Sequence, residues 1–227
     1  MTYGRDSIRD GLFEEIGREA ERLGLMRICT EEERVESRAQ MLAEVKPDED
    51  VWIFGYGSLM WNPAFNHAER QSGLVRGWHR SFCLWTPIGR GTPDNPGLVL
   101  ALNRGGSCCG IAYRVAAEDR ETELPLLWRR EMVADGYTPR WVAVRCDAGT
   151  VRAITWTINR EGDRYAGKLP METLARTLAT ASGRLGSCVD YLENTVAHLD
   201  ELGIGERPLH EIREHVRAYL RTNGEGR

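Results

Sequence analysis

Residues 51 to 59 read Val51-Trp52-Ile53-Phe54-Gly55-Tyr56-Gly57-Ser58-Leu59, four apolar side chains that give way to two glycines bracketing a tyrosine, then a serine. Glycines at 55 and 57 let the backbone take φ > 0 and let a ligand approach with no Cβ in its way. Successive N–H groups in such a turn can form an anion-binding nest, to which the Ser58 hydroxyl adds a donor. The same residues also describe a tight strand exit whose tyrosine fills the core, and spacing alone does not separate the two. Nucleotide-binding loops fit less well. A dinucleotide fingerprint needs a third glycine at position 60, which is Met60, and the Gly-Lys-Ser/Thr of a phosphate-binding loop is absent. A small carboxylate or an amino-acid group suits this loop better than a phosphate.

The second place with chemical potential is Trp128-Arg129-Arg130-Glu131-Met132-Val133-Ala134-Asp135-Gly136-Tyr137. Glu131 stands where a helix should give way to a strand. A carboxylate at such a corner can point into a pocket, where apolar surroundings raise its pKa toward the range useful for proton transfer. Residue type alone favours the plainer alternative of a surface ion pair with its arginine neighbours.

These residues need a scaffold. Val51 to Phe54 is too short for a helix and suits a central strand covered on both faces. Upstream, residues 1–46 are highly charged, with apolar positions at Ile8, Leu12, Ile16 and Leu23, then at Val35, Leu42 and Val45 after a Thr30-x-x-Glu33 capping box. They predict two amphipathic helices, an N-terminal extension ahead of a main domain over 47–227, separated by the polar break Pro47-Asp48-Glu49-Asp50. Gly73 to Trp85 is strand-like, and Thr86 to Gly97 is a long loop with three prolines and three glycines. Leu98 to Asn103 and Cys109 to Val115 read as a hairpin turned by Gly105-Gly106-Ser107. A charged helix from Ala117 to about Met132 contains Pro125, which implies a kink or a late start. Strands over 137–146 and 151–159 follow, and after Pro170 helices over 171–184, 188–202 and 208–220. The fold class is α+β on a mixed, mostly antiparallel, barrel-like sheet.

Composition narrows the function. A 227-residue chain with 41% hydrophobic residues can bury one substantial core. A net charge of -4 with the signs interspersed, and no basic stripe along the sequence, argues against a nucleic-acid partner. No apolar stretch reaches the roughly eighteen residues of a membrane span, and the charged start has no signal-peptide core, so a cytoplasmic protein is expected. The six cysteines form no Cys-x-x-Cys pair and the five histidines share no metal-ligand spacing, so no metal or redox motif is indicated. His-Glu-x-x-His and Gly-x-Ser-x-Gly are also absent.

Several runs, taken together and in order, carry more information than any one. Trp52 to Pro63, Gly77-Trp78-His79-Arg80-Ser81-Phe82-Cys83, Arg90-Gly91-Thr92-Pro93 and Pro96-Gly97-Leu98-Val99-Leu100 resemble the ChaC family of glutathione-specific γ-glutamylcyclotransferases. So do Arg130-Glu131-Met132-Val133, Tyr165-Ala166-Gly167 and Tyr191-Leu192-Glu193-Asn194-Thr195. The likeness spans about residues 51 to 205 and leaves out the N-terminal helices. Asp135-Gly136-Tyr137 departs from it, since many members carry two glycines before the tyrosine. The resemblance implies a γ-glutamylcyclotransferase-like fold, a small β-barrel with helices around it. It also implies that Ile53, Phe54, Gly55, Tyr56, Gly57, Ser58 and Leu59 hold the γ-glutamyl end of the substrate, that Glu131 is catalytic, and that Tyr165 lines the pocket.

The chemistry implied is ring closure within glutathione, its α-amine attacking its own δ-carbonyl to give 5-oxoproline and cysteinylglycine. The nucleophile is in the substrate, so one carboxylic acid that takes a proton from the ammonium and returns one to the leaving amine suffices. No cofactor, metal or covalent intermediate is required. Other γ-glutamyl amines or dipeptides, or a non-catalytic role in sensing a small molecule, remain alternatives. Arg76, Arg80, Arg90 and Arg129 can reach a substrate carboxylate, although arginines on strands and loops are more often solvated. Cys83 and His79 read as packing residues, and Tyr56 leans toward the core.

Overall fold

The computed structural model describes residues 3–224 and comprises two compact units, one of residues 3–81 and 101–162, the other of residues 82–100 and 163–224.

The first unit contains the barrel. Strands β1 (Val51–Gly55), β2 (Glu69–Thr86), β3 (Gly97–Val115), β4 (Tyr137–Cys146) and β5 (Gly149–Ile158) close in the order β1-β3-β2-β4-β5. β1 runs antiparallel to β3, with Val51 opposite Val115 and Gly55 opposite Ile111. On its other side β1 is parallel to β5, with Trp52 opposite Ala153. Paired on both edges, β1 buries Val51, Ile53 and Phe54, as its unbroken apolar run requires. Period-two alternation sorts β4: Val142, Val144 and Cys146 face inward, while Ala143 and Arg145 face solvent.

The hairpin expected between Leu98 and Val115 does not form. β3 is one continuous 19-residue strand, and the glycines expected to turn it lie within it at φ 100° (Gly105) and 68° (Gly106). Left-handed glycines bend a strand as a bulge does without reversing it. Turn and bulge use the same residues, so the local signal was ambiguous.

Among the described residues three helices precede the barrel where two were expected: α1 (Arg5–Arg9), α2 (Leu12–Arg22) and α3 (Glu31–Leu42), with Gly11 at φ 88° separating the first two. The capping box forms as read, the Glu33 amide donating to Thr30 Oγ1 at 3.2 Å and the Thr30 amide to Glu33 Oε2 at 2.8 Å. Ile8 and Ile16 are buried, whereas Leu23 and Val35 are 46% and 44% exposed, so the apolar stripe is only partly used. All three helices belong to the same unit as the barrel.

A short α4 (Ser58–Trp61) follows β1, and α5 (Arg120–Glu131) runs through Pro125 after a 3₁₀ turn at Ala117–Asp119. α5 buries Leu124, Leu127 and Trp128. The Trp128 ring meets Trp156 edge to face at 5.2 Å, and its Nε1 donates to Ser37 Oγ on α3. Burying one such ring removes about 150–250 Å² from water, worth roughly 4–6 kcal/mol. That anchor fixes the helix whose last residue is Glu131.

The second unit holds the 82–86 end of β2, the 97–100 end of β3 and helices α6 (Met171–Thr180), α7 (Cys188–Glu201) and α8 (Arg207–Gly224). Two-residue strands β6 (Ser182–Gly183) and β7 (Gly186–Ser187) pair between α6 and α7, which ends α6 earlier than expected. The Cys188 thiol donates to the Arg90 carbonyl at 3.2 Å, and the Arg90 guanidinium stacks 4.8 Å from the centre of the Tyr191 ring.

Candidate active site

The turn after β1 is built by close approach. A Cβ on Gly55 would lie 2.9 Å from Leu59 Cβ, because α4 folds directly back over the strand end. Gly110, on the neighbouring strand, faces the Gly55 carbonyl and the Phe54 ring with no room for a side chain. Neither Gly55 nor Gly57 is among the positive-φ glycines; Gly57 sits at φ −126°, ψ −128° as the residue before α4. The glycines therefore admit a tight crossing, where the sequence suggested left-handed backbone.

Hydrogen bonds immobilise this turn from several sides. Tyr56 is 6% exposed and donates its hydroxyl to the Trp156 carbonyl at 2.7 Å, while its own carbonyl accepts from the buried Arg80. The Tyr113 hydroxyl bonds to the carbonyls of Leu59 (2.9 Å) and Met60 (3.1 Å). Burial pushes that phenol up to about 12, so it stays a donor at any physiological pH. Thr155 Oγ1 donates to the Phe54 carbonyl at 2.9 Å. The first amides of α4 have no acceptor within their own helix, as at any helix start.

Glu131 closes α5 beside this turn. Its Oε1 lies 3.0 Å from Arg130 Nε, and the carboxylate side chain is 14% exposed. The Arg130 guanidinium, itself buried, donates to the turn: Nη2 to Ser58 Oγ at 2.9 Å, and Nη1 to the carbonyls of Asn62 (2.6 Å) and Pro63 (3.0 Å). One side chain thus links the acid to the serine of the glycine loop. Burial raises the Glu131 carboxyl above its ordinary range, and the adjacent Arg130 charge pulls it part of the way back. The ion pair suggested by residue type exists, but it is buried, which gives it a different consequence.

The first unit therefore brings together Ile53 to Leu59 and Glu131. Tyr165 belongs to the second unit, where it bridges to the Leu84 backbone. Among the arginines considered from sequence, Arg76 is exposed, Arg129 pairs with Glu14 at 3.6 Å, and Arg80 and Arg90 are buried. The burial of Arg80 and Arg90 corrects the expectation of solvated side chains. Sequence reasoning did not find the framework of Arg130, Tyr113, Thr155 and Gly110. Only Arg130 carried a signal, its place next to Glu131.

Residues 51–219 match the family model described as ChaC-like protein. This chain belongs to the ChaC-like family. It is 43% identical over 194 residues, 85% of its length and 84% of the relative's, to the glutathione-specific γ-glutamylcyclotransferase of Escherichia coli (strain K12). It is 32% identical over 147 residues, 63% of this chain and 66% of the relative, to the human glutathione-specific γ-glutamylcyclotransferase 1. In structure it resembles a crystallised yeast γ-glutamyl cyclotransferase specific to glutathione, with a TM-score of 0.70 at 21% identity, over 75% of this chain and 96% of that one. The barrel with helices expected of a ChaC-like protein is thus the observed fold. Among the described residues no helix is long and apolar enough to cross a membrane.

Proposed function

We propose that this ChaC-like protein converts glutathione to 5-oxoproline and cysteinylglycine in the cytoplasm, with Glu131 as the single proton-transfer group. The observation that carries the proposal is the buried Glu131 carboxyl, joined through Arg130 to Ser58 of the glycine loop. In the ionised form Glu131 takes a proton from the substrate α-ammonium. The freed amine attacks the δ-carbonyl, and the resulting oxyanion collapses as the bond to the cysteine nitrogen breaks. Glu131 then returns that proton to the departing nitrogen, and the second proton, given up by the ring nitrogen as it becomes the lactam N–H, passes to the same amine. The two protons lost by the α-ammonium are the two gained by the leaving ammonium, so the acid ends as it began and no water is consumed. A carboxyl raised by burial accepts the proton more readily than an ordinary glutamate, whose pKa is about 4.3.

The loop has the complementary task. Backbone N–H groups from Gly57 to Leu59 bind the α-carboxylate or the developing oxyanion; loss of one oxyanion donor typically costs about 3 kcal/mol of transition-state stabilisation. Ile53 to Gly55 and Tyr56 form the rigid wall behind it, and Tyr165 is assigned to the γ-glutamyl group on its Tyr-Ala-Gly motif alone. Because the reaction is already intramolecular, holding amine and carbonyl in the attacking geometry supplies only part of the roughly 7–11 kcal/mol that full orientation of two separate reactants is worth. Related proteins from bacterium and human that carry glutathione-specific names support this substrate over other γ-glutamyl compounds.

The decisive experiment gives purified protein millimolar glutathione and measures 5-oxoproline and cysteinylglycine, with a panel of γ-glutamyl amines and dipeptides alongside. Stoichiometric release of both products from glutathione is expected. Binding without products would make the protein a sensor, and faster turnover of another γ-glutamyl compound would move the substrate assignment.

A further inference from the structure

The segment ahead of the family match, which begins at Val51, is fastened to both sides of the Glu131 corner. The Tyr3 carbonyl accepts from Asn62 Nδ2 at 2.8 Å, and the Tyr3 ring lies 5.3 Å from the Arg130 guanidinium carbon. That ring is itself held edge to face against Phe13 of α2 at 5.1 Å. Arg5 forms an ion pair with the buried Glu123 of α5, whose carboxylate also accepts from the Asn66 amide at 2.9 Å. Farther along, the Cys29 amide donates to the Val133 carbonyl at 2.9 Å, and Ile28 bridges Ala134 just past the acid.

We infer that this N-terminal segment is a brace for the acid corner and that Tyr3 is a positioning residue, acting on Glu131 through Arg130. The inference rests on the proton-transfer role proposed for Glu131. Arg130 donates to Ser58, Asn62 and Pro63 and forms an ion pair with Glu131. The cation lies over the Tyr3 ring, which keeps water off it and restrains the long side chain, and such a contact strengthens as it is desolvated. A tyrosine ring is thus suited to keep the fork aligned between loop and acid. The charged and titratable neighbours of this corner include Glu123, Arg129 and Arg130 on α5, Asp135 just past it, Glu14 on α2, Tyr3, Arg5 and Cys29 on the brace, and Tyr113 on β3. Arg130 is the one whose charge bears directly on Glu131.

The test compares full-length Tyr3→Leu and Tyr3→Phe with the unaltered protein, using glutathione across pH. Tyr3→Leu should lower kcat about three- to ten-fold, the range a lost cation–π contact implies. It should also move the acid limb of the pH profile upward, because a looser Arg130 opposes the effect of burial less well. Tyr3→Phe, which keeps the ring, should restore both. NMR titration of ¹³C-labelled Glu131 should follow the same pattern, and it reads the brace even if glutathione proves not to be the substrate. Absence of turnover by the unaltered protein would overturn the proposed function, whereas the brace stands or falls on that titration. A Tyr3→Leu protein with unaltered Glu131 titration, or a Tyr3→Phe protein as impaired as Tyr3→Leu, would overturn the brace.

Discussion

Replacing Glu131 with glutamine keeps the length of the side chain and leaves a neutral oxygen where Oε1 now lies 3.0 Å from Arg130 Nε, while removing the charge. Burial raises the carboxyl in the folded protein and Arg130 offsets only part of the rise, whereas in the unfolded chain the group titrates near about 4.3. Between those two values the folded state binds more protons than the unfolded one. Unfolding free energy then falls as pH rises, by about 1.4 kcal/mol per pH unit, and levels off above the folded pKa. The contribution is complete below about pH 4.3 and lost as pH climbs through the folded value. Glutamine has no such dependence. The stability of Glu131→Gln relative to the unaltered protein should therefore grow from about pH 4 upward and then plateau. The pH of the plateau should coincide with the acid limb of kcat/KM, since both report the free enzyme's carboxyl. Urea unfolding followed by tryptophan fluorescence between pH 4 and 8 measures the first, and 5-oxoproline release the second. Turnover by the glutamine variant should drop on the order of 10²–10⁴-fold. A relative stability that shrinks with rising pH would mean that the Arg130 charge outweighs burial, and near-normal turnover would place the proton transfer elsewhere. Either result refutes the reasoning.

Two further expectations concern the scaffold. Gly110→Ala drives a methyl group into the Gly55 carbonyl and within 2.7 Å of Phe54 Cζ, with backbone on one side that cannot yield; a loss of about 1–3 kcal/mol in urea unfolding is expected, and an unaltered midpoint would show that β1 and β3 can part. Cys108 is buried with its thiol pushed up to about 11, so iodoacetamide at pH 8 should leave it unmodified in the folded protein, as peptide mass analysis would show; labelling as fast as in the urea-unfolded chain would contradict its placement.

Where local pattern and final environment agree, the sequence was legible. β1, the Thr30 capping box and strands β4 and β5 form where the sequence places them, whereas the glycine loop forms without the left-handed backbone expected of it. The pattern misled where one local signal serves two geometries. Gly105-Gly106 turns a hairpin or bends a strand, and only the long pairing partners of β3 select the bend. A stripe of apolar residues over 8 to 45 marks helices but not their number, nor which of Leu23 and Ile16 is covered.

The candidate site divides along the same line. By itself the sequence determined the chemical types, a backbone-rich turn able to hold an anion and an acid at a helix end, and by resemblance it pointed to the family. It could not say whether the Glu131 carboxyl is solvated or withdrawn from water, because that depends on the assembled environment and not on neighbours in the chain. Closure of the barrel decided it. Packing Trp128 against Trp156 sets α5 so that its last residue is withdrawn from water, and Arg130 then reaches back to Ser58 and the 62–63 carbonyls. Desolvation is a property of the assembled environment, and it is desolvation that turns an ordinary Arg-Glu dipeptide into a carboxyl held above its usual pKa.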